Sequence, residues 1–144
     1  MAEHINDIQD SIIGEFELFD EWLDKYQYII DLGKELPLIE EDEKIDERLI
    51  SGCQSRVWLK AEHVDSKLIF SADSDAIITK GIIALLIRVL SQQPPSDIIN
   101  ANLYFIDRIG LNDHLSPTRA NGLLQMVNQM KRYGIAYTQD YSEN

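Results

Sequence analysis

The amino-terminal part of the chain carries a helical repeat of apolar residues. These residues recur every three or four positions: Ile5, Ile8, Ile12, Phe16, Phe19, Leu23, Tyr26 and Ile30. Such spacing lays one apolar stripe along a helix, and the segment FELFDEW is where the stripe can divide into two helices. Gly33 is expected to cap the C-terminal end of this helical region, because Pro37 blocks its continuation.

Three short segments rich in β-branched and aromatic residues follow the charged connector EEDEKIDE: RLIS, RVWLKAEHV and KLIFSAD. The second segment alternates, with Val57, Leu59 and Ala61 on one face, which is typical of a strand. The pair DS at residues 65–66 predicts a hairpin turn. We therefore predict an α+β fold, in which a small three-stranded antiparallel sheet is covered by helices and Cys53 lies in the turn joining the first strand to the second.

Two further helices are predicted in the remainder of the chain. The segment AIITKGIIALLIRVL is apolar nearly all round, which favours a core helix, and Ser74 and Asp75 can cap its start. A last helix is expected to begin with Ser116 as N-cap and Pro117 at the first helical position, and to end at Gly134. Four of its residues are predicted to face inward: Leu123, Leu124, Val127 and Met130.

Length and composition indicate one globular domain spanning residues 1–144. Hydrophobic residues make up 44% of the chain and charged residues 26%, the ordinary balance of a folded protein. The net charge is −12, from 25 acidic and 13 basic residues, so the broad attraction to phosphate that nucleic-acid binding needs is absent. The acidic excess either keeps the chain in solution or steers it towards a basic protein surface.

The chain is expected to act in the cytoplasm and away from membranes. Its longest apolar stretch includes Lys80 and Arg88 and is shorter than the ~20 residues that span a bilayer. A chain with one cysteine forms no internal disulfide, which favours a reducing compartment.

That one cysteine is the first candidate for chemistry. Cys53 stands in SGCQSRVW, between Gly52 and the polar pair Gln54 and Ser55. A thiol kept for packing usually lies in an apolar run, so these neighbours favour a loop and an accessible thiol.

Metal and phosphate sites find little support in the sequence. One cysteine and three scattered histidines, His4, His63 and His114, do not supply the ligand spacing of a metal site, and no glycine-rich phosphate loop is present. A thiol hydrolase would need a histidine beside Cys53 in space, for which His63 and His114 are the candidates.

The motif GCQSRVW resembles the signature of the SufE family of sulfur-acceptor proteins. Three further segments, YIIDLGKELP, SDAIITKGIIALL and LSPTRANGL, are similar to family segments in the same order. The resemblance covers roughly residues 26–130.

This resemblance implies a fold similar to that of the U-type iron–sulfur scaffolds, without their additional metal-binding cysteines. It also implies a sulfur carrier rather than an enzyme. A SufS-like cysteine desulfurase, which holds its own pyridoxal phosphate, would pass persulfide sulfur to Cys53 and be stimulated by doing so. The chain would need no cofactor and would deliver sulfur to an iron–sulfur cluster assembly complex. The alternatives are a regulatory desulfurase-binding protein that carries no sulfur and a thiol hydrolase, and the sequence leaves open whether the chain forms a homodimer.

Several residues near the motif are candidates for shaping the loop or contacting the partner. Gly52 lets the backbone bend, while Gln54 and Ser55 either fill the turn or take part more directly. Asp75 either caps the core helix or contacts the partner. Arg119 lies in the first turn of the last helix, where a cation opposes the helix dipole, so it is a candidate for contact with the cysteine loop or the partner, against the alternative of a surface ion pair.

Overall fold

The computed structural model describes residues 4–142, and side chains through residue 138. The helices and strands, in chain order, are α1 (Ile5–Phe16), α2 (Trp22–Gly33), β1 (Val57–Val64), β2 (Lys67–Ser74), α3 (Ile77–Leu90), α4 (Pro95–Asn100), α5 (Phe105–Arg108) and α6 (Pro117–Ser142). Short 3₁₀ turns occur at Glu41–Glu43, Asp46–Arg48 and Asn112–His114. The mixed α+β class predicted from the sequence is confirmed. No helix within residues 4–142 is both long and apolar enough to cross a membrane.

The amino-terminal helical region divides at the predicted segment, between α1 and α2. Ile12 and Phe16 of α1 are buried as the stripe predicts. Beyond the break the stripe is no longer followed, since Leu23 is 79% exposed and Ile29 is buried instead. A break in a helix changes the rotational phase of the residues that follow, so a repeat read across it assigns the wrong face to α2.

Gly33 is the last residue of α2, but the C-cap is Lys34, and glycine is required at position 33 for close packing. A Cβ atom at Gly33 would lie 2.9 Å from the backbone nitrogen of Gly81, and a Cβ at Gly81 would lie 2.1 Å from the carbonyl oxygen of Ile29. The backbones of α2 and α3 therefore approach too closely for side chains at these positions. This contact fixes the core helix α3 against α2.

Within the described residues the sheet is a two-stranded antiparallel hairpin of β1 and β2, not the three strands that the sequence predicts. The hairpin turn itself is confirmed. Asp65 and Ser66 have φ values of 52° and 66°, and a type I′ turn requires positive φ at both central residues. Val57, Leu59 and Ala61 of β1 are all buried, as their alternation predicts.

The segment predicted as a first strand forms a single bridge, between Leu49 and Trp58. The 3₁₀ turn Asp46–Arg48 comes directly before this bridge and a turn at residues 51–52 follows it. Turns on both sides leave too few extended residues for a ladder, so Cys53 lies in a loop between an isolated bridge and β1.

The outer edge of β2 is covered by backbone from two other parts of the chain. The Ala72 nitrogen donates to the Pro37 carbonyl at 3.0 Å, and the Ile39 nitrogen donates to the Ala72 carbonyl at 3.1 Å. Further along the edge, the Leu68 nitrogen donates to the Gln93 carbonyl at 3.0 Å. These bonds occupy groups that an open edge would offer to another strand.

The outer edge of β1 is covered by α6. The hydroxyl of Tyr133 donates to the Leu59 carbonyl, and the hydroxyl of Tyr137 donates to the Ala61 carbonyl, each at 3.3 Å. Residues four apart lie on the same helix face, which places both tyrosines along the strand. The long helix is thereby fixed next to the strand that follows the cysteine loop.

The start of α6 agrees with the prediction and its end does not. The Ser116 hydroxyl accepts from the Arg119 nitrogen at 3.2 Å, which makes Ser116 the N-cap, and Pro117 is the first helical residue. The helix continues past Gly134 to Ser142. Gly134 serves close packing on α4, because a Cβ there would lie 3.1 Å from Ile99 Cγ1.

The inward face of α6 is centred on Leu123, Met126 and Met130, all buried. Val127 is half-buried against the same core. Leu124, which the sequence predicts to face inward, is 54% exposed. Successive residues on a helix are about 100° apart, so Leu124 turns away once Leu123 faces the core.

The contact between α2 and α3 predicts a large difference between two glycine substitutions. Gly81→Ala forces a methyl group onto the Ile29 carbonyl and is expected to lower the free energy of unfolding by about 3 kcal/mol or more. Gly14→Ala in α1, where nothing lies within 4 Å, is the matched control and is expected to raise it by about 0.5–1 kcal/mol. Urea unfolding of both variants measures this. Equal stability of the two variants would contradict the close approach.

Candidate functional site

Cys53 lies in the cysteine loop, defined here as residues 51–56, which leads from the Leu49 bridge into β1. The Ile50 nitrogen donates to the Val57 carbonyl at 2.9 Å. Because these two residues flank the loop, the hydrogen bond holds its ends together. The loop position predicted for the thiol is what the structure has.

The amino-terminal half of the cysteine loop rests on α6. Gly52 has φ of 87°, a conformation that side-chain-bearing residues rarely adopt. Its carbonyl accepts from Asn121 Nδ2 at 3.1 Å, and a Cβ at Gly52 would lie 2.9 Å from Gln125 Cγ. Gly52 therefore allows both the turn and the close contact with the helix.

The thiol of Cys53 is half-buried and donates to the Gly122 carbonyl, with 3.7 Å between sulfur and oxygen. A Cβ at Gly122 would lie 3.6 Å from the sulfur, in ordinary contact. Burial raises the pKa of the Cys53 thiol above its ordinary value. The accessible thiol expected from the sequence is thus partly covered by α6 and largely protonated at neutral pH.

Gln54 and Ser55 complete the tip of the loop. Gln54 is exposed and Ser55 is half-buried. Neither side chain forms a hydrogen bond with another residue among those described. Both residues lie beside Cys53 in the chain, where they stay candidates for a more direct part in the chemistry or for filling the turn.

Asp75 fixes the other end of the cysteine loop. Its Oδ1 accepts from the Arg56 nitrogen at 3.1 Å, and its own nitrogen donates to the Arg56 carbonyl at 3.3 Å. The N-cap of α3 is Ala76, whose nitrogen donates to the Ser74 hydroxyl at 3.3 Å. Of the two roles considered for Asp75, capping of α3 is therefore wrong, because its side chain accepts from the loop and from no amide of the helix.

Arg119 is exposed at the end of α6 that carries the cysteine loop. It stands one helical turn before Gly122, and residues three apart are neighbours on a helix. Among the described residues Arg119 forms no ion pair with a carboxylate. Its guanidinium is thus free of the surface ion pair considered from the sequence, within the part of the chain described.

The outer face of the hairpin beside the loop is charged. Trp58 lies under the Lys44 ammonium, 5.5 Å from the ring centre, and pairs in register with Asp73. Asp73 binds Lys44 at 2.6 Å and Lys80 at 3.3 Å. Burial opposes ionisation of Asp73, but hydrogen bonds from Lys44, the Ser74 amide and Lys80 outweigh it and lower the pKa of the carboxyl. The network attaches the acidic connector to the sheet.

The two histidines considered as partners for Cys53 are engaged elsewhere. His114 stacks on Trp22 with 3.8 Å between ring centres. His63 packs against Tyr137 near the hairpin turn. It lies six residues after the first residue of β1, which is roughly 20 Å along the strand. Within residues 4–138 the thiol has no neighbouring general base, and no three His, Cys, Asp or Glu side chains group to hold a metal ion.

Sequence reasoning missed three residues of the site: Asn121, Gly122 and Gln125. Each contacts the cysteine loop from α6, about 70 positions further along the chain. The segment LSPTRANGL, noted for its similarity to the family, contains the first two. Their contact with the loop could not be read from local spacing.

A solved structure shares this fold. The solution structure of a hypothetical protein from Thermus thermophilus aligns with a TM-score of 0.76 over 92% of this chain and 96% of that one. Sequence identity is 16%, so the similarity concerns the fold alone.

Sequence comparisons address the family directly. A family model described as "SufE: Fe-S metabolism associated domain" matches residues 10–134. An uncharacterized SufE-like protein of Rhizobium meliloti (strain 1021) is 39% identical over 127 residues, which are 85% of this chain and 91% of the relative. Another, of Rhizobium etli, is 37% identical over 85% of this chain and 86% of the relative. The chain therefore belongs to the SufE family, whose domain is associated with iron–sulfur metabolism.

Proposed function

We propose that the chain carries sulfur on Cys53, taking it from the persulfide of a SufS-like cysteine desulfurase for use in iron–sulfur cluster assembly. The observation that carries the proposal is the placement of the chain's one cysteine in a short loop fixed at both ends. Membership of a family associated with iron–sulfur metabolism supports it. The desulfurase supplies the pyridoxal phosphate, and we place the exchange in the cytoplasm.

The proposed transfer is a thiol exchange at sulfur. The Cys53 thiolate attacks the terminal sulfur of the desulfurase persulfide, and a new sulfur–sulfur bond forms on Cys53. The sulfur–sulfur bond of the desulfurase breaks, and its cysteine leaves as a thiolate that takes up a proton. Cys53 has lost one proton and gained one sulfur atom, so the step consumes no oxidant or reductant.

The resting site does not favour this attack. The thiol is half-buried, donates to the Gly122 carbonyl and has a pKa raised by burial, whereas exchange requires an accessible thiolate. We infer that docking moves the cysteine loop off α6 and exposes Cys53 to the desulfurase. Arg56, the last residue of the loop, and Arg119, one helical turn before Gly122, are exposed cations suited to an anionic persulfide or to carboxylates of the partner.

The charge of the chain suits a partner with a basic surface. A net charge of −12 attracts such a surface over about one Debye length, ~8 Å at physiological ionic strength. Arg56, in the loop, and Arg119, one helical turn before Gly122, are exposed cations in this acidic chain. The acidic residues of the chain would thus attract a basic partner at long range, and the two arginines would contact anionic groups of the partner at short range.

Sulfur transfer predicts a covalent product. After incubation with a desulfurase and cysteine without reductant, the intact protein should gain the mass of one sulfur atom, which thiol treatment should remove. Cys53→Ser should gain none and should lose most of the stimulation of desulfurase turnover. Its thermal melt is the control and should be nearly unchanged, since the substitution empties no core position.

The same experiment separates the alternatives. Full stimulation by Cys53→Ser, with no sulfur found on the parent protein, would replace the carrier with a regulatory desulfurase-binding protein. Ester or amide turnover without a desulfurase, lost in Cys53→Ser, would indicate a thiol hydrolase.

The half-buried thiol predicts slow alkylation of the free protein. At neutral pH iodoacetamide should label Cys53 slowly, and the rate should rise as the pH approaches the raised pKa of the thiol. A desulfurase whose catalytic cysteine is replaced by serine should accelerate labelling by opening the loop. The urea-unfolded chain is the reference for an uncovered thiol. Labelling of the free folded protein as fast as the unfolded chain would refute docking-dependent exposure.

A further inference from the structure

We propose that Asn121 is a positioning residue that holds the cysteine loop closed on α6 and thereby sets how readily Cys53 is released. Its effect on loop opening stands on geometry alone, and its effect on sulfur transfer rests on the proposed function. The proposal concerns a side chain that does not touch the reacting sulfur.

Two consecutive residues of the loop meet two consecutive residues of the helix. The carbonyl of Gly52 accepts from Asn121 Nδ2 at 3.1 Å, and the thiol of Cys53 donates to the carbonyl of Gly122 at 3.7 Å. Since a sulfur–oxygen contact of this length is weak, the amide of Asn121 is the stronger of the two polar attachments. Releasing Gly52 therefore releases Cys53 with it.

The side chain of Asn121 suits a reversible attachment. Backbone nitrogens in the interior of α6 are used within the helix, so a side-chain donor is what can reach the Gly52 carbonyl. Asn121 is exposed, and water competes for the same carbonyl once the loop lifts. A neutral hydrogen bond in this setting changes an opening equilibrium by about twofold to tenfold.

This attachment lowers the apparent affinity of the closed protein for its partner. If the desulfurase binds the open loop, the apparent dissociation constant is the intrinsic one divided by the open fraction. Asn121 reduces that fraction and so covers the thiol between encounters. Removing the amide should raise the open fraction without altering the chemistry of the bound complex.

Asn121→Ala and Asn128→Ala make a matched pair. Both replace asparagine by alanine in α6 and raise helix propensity equally, but Asn128 is not hydrogen-bonded to the loop. Asn121→Ala is expected to speed iodoacetamide labelling of the free protein by about twofold to tenfold over Asn128→Ala. Thermal melts should show both variants folded.

The desulfurase assay provides the second measurement. The concentration of Asn121→Ala that gives half-maximal stimulation should fall by the same factor as labelling rises, and maximal turnover should stay unchanged. Equal labelling of the two variants would overturn the proposal. Faster labelling with an unchanged half-maximal concentration would overturn its role in docking. Labelling needs no desulfurase, so it tests the attachment even if no persulfide ever forms on Cys53.

Discussion

The contact between the cysteine loop and α6 is the constraint on which the proposed chemistry depends. It covers a thiol that must be exposed to react. The thiol of Cys53 donates a hydrogen bond to the Gly122 carbonyl, and the side-chain amide of Asn121 donates one to the Gly52 carbonyl. Both bonds are individually weak. The proposed carrier requires a loop of this kind, closed at rest and held weakly enough for a docking protein to open it.

The rest of the fold holds the two sides of this contact in place. The Gly33 and Gly81 approach fixes α3 against α2, and Asp75, just before α3, binds the loop at Arg56. On the other side, tyrosines of α6 bind the outer edge of β1, the strand that the loop enters. The loop is therefore attached at one end to the residue that follows the hairpin and at the other to α6.

Local patterns in the sequence predicted the features that depend on nearby residues. The hairpin turn, the N-cap at Ser116, the break between α1 and α2 and the loop position of Cys53 are all of this kind. Family resemblance predicted the membership that the comparisons show.

What local patterns could not predict were contacts between distant parts of the chain. Cys53 and Gly122 are 69 positions apart, so the covering of the thiol left no trace in the spacing around the motif. Asp75 reads as a helix cap until Arg56 is found beside it. Gly33 reads as a helix cap until Gly81 is found against it. The expected third strand failed because two turns shortened it to one bridge.

The most direct test of this account is a titration of the Cys53 thiol by the ultraviolet absorbance of its thiolate, in the folded protein and in urea. The same titration of Cys53→Ser provides the baseline and removes the contribution of the six tyrosines. Because burial against α6 raises the pKa of the thiol, the folded protein should titrate at higher pH than the unfolded chain. A folded midpoint equal to or below the unfolded one would mean that burial against α6 does not favour the protonated thiol, and that release from α6 does not control its chemistry.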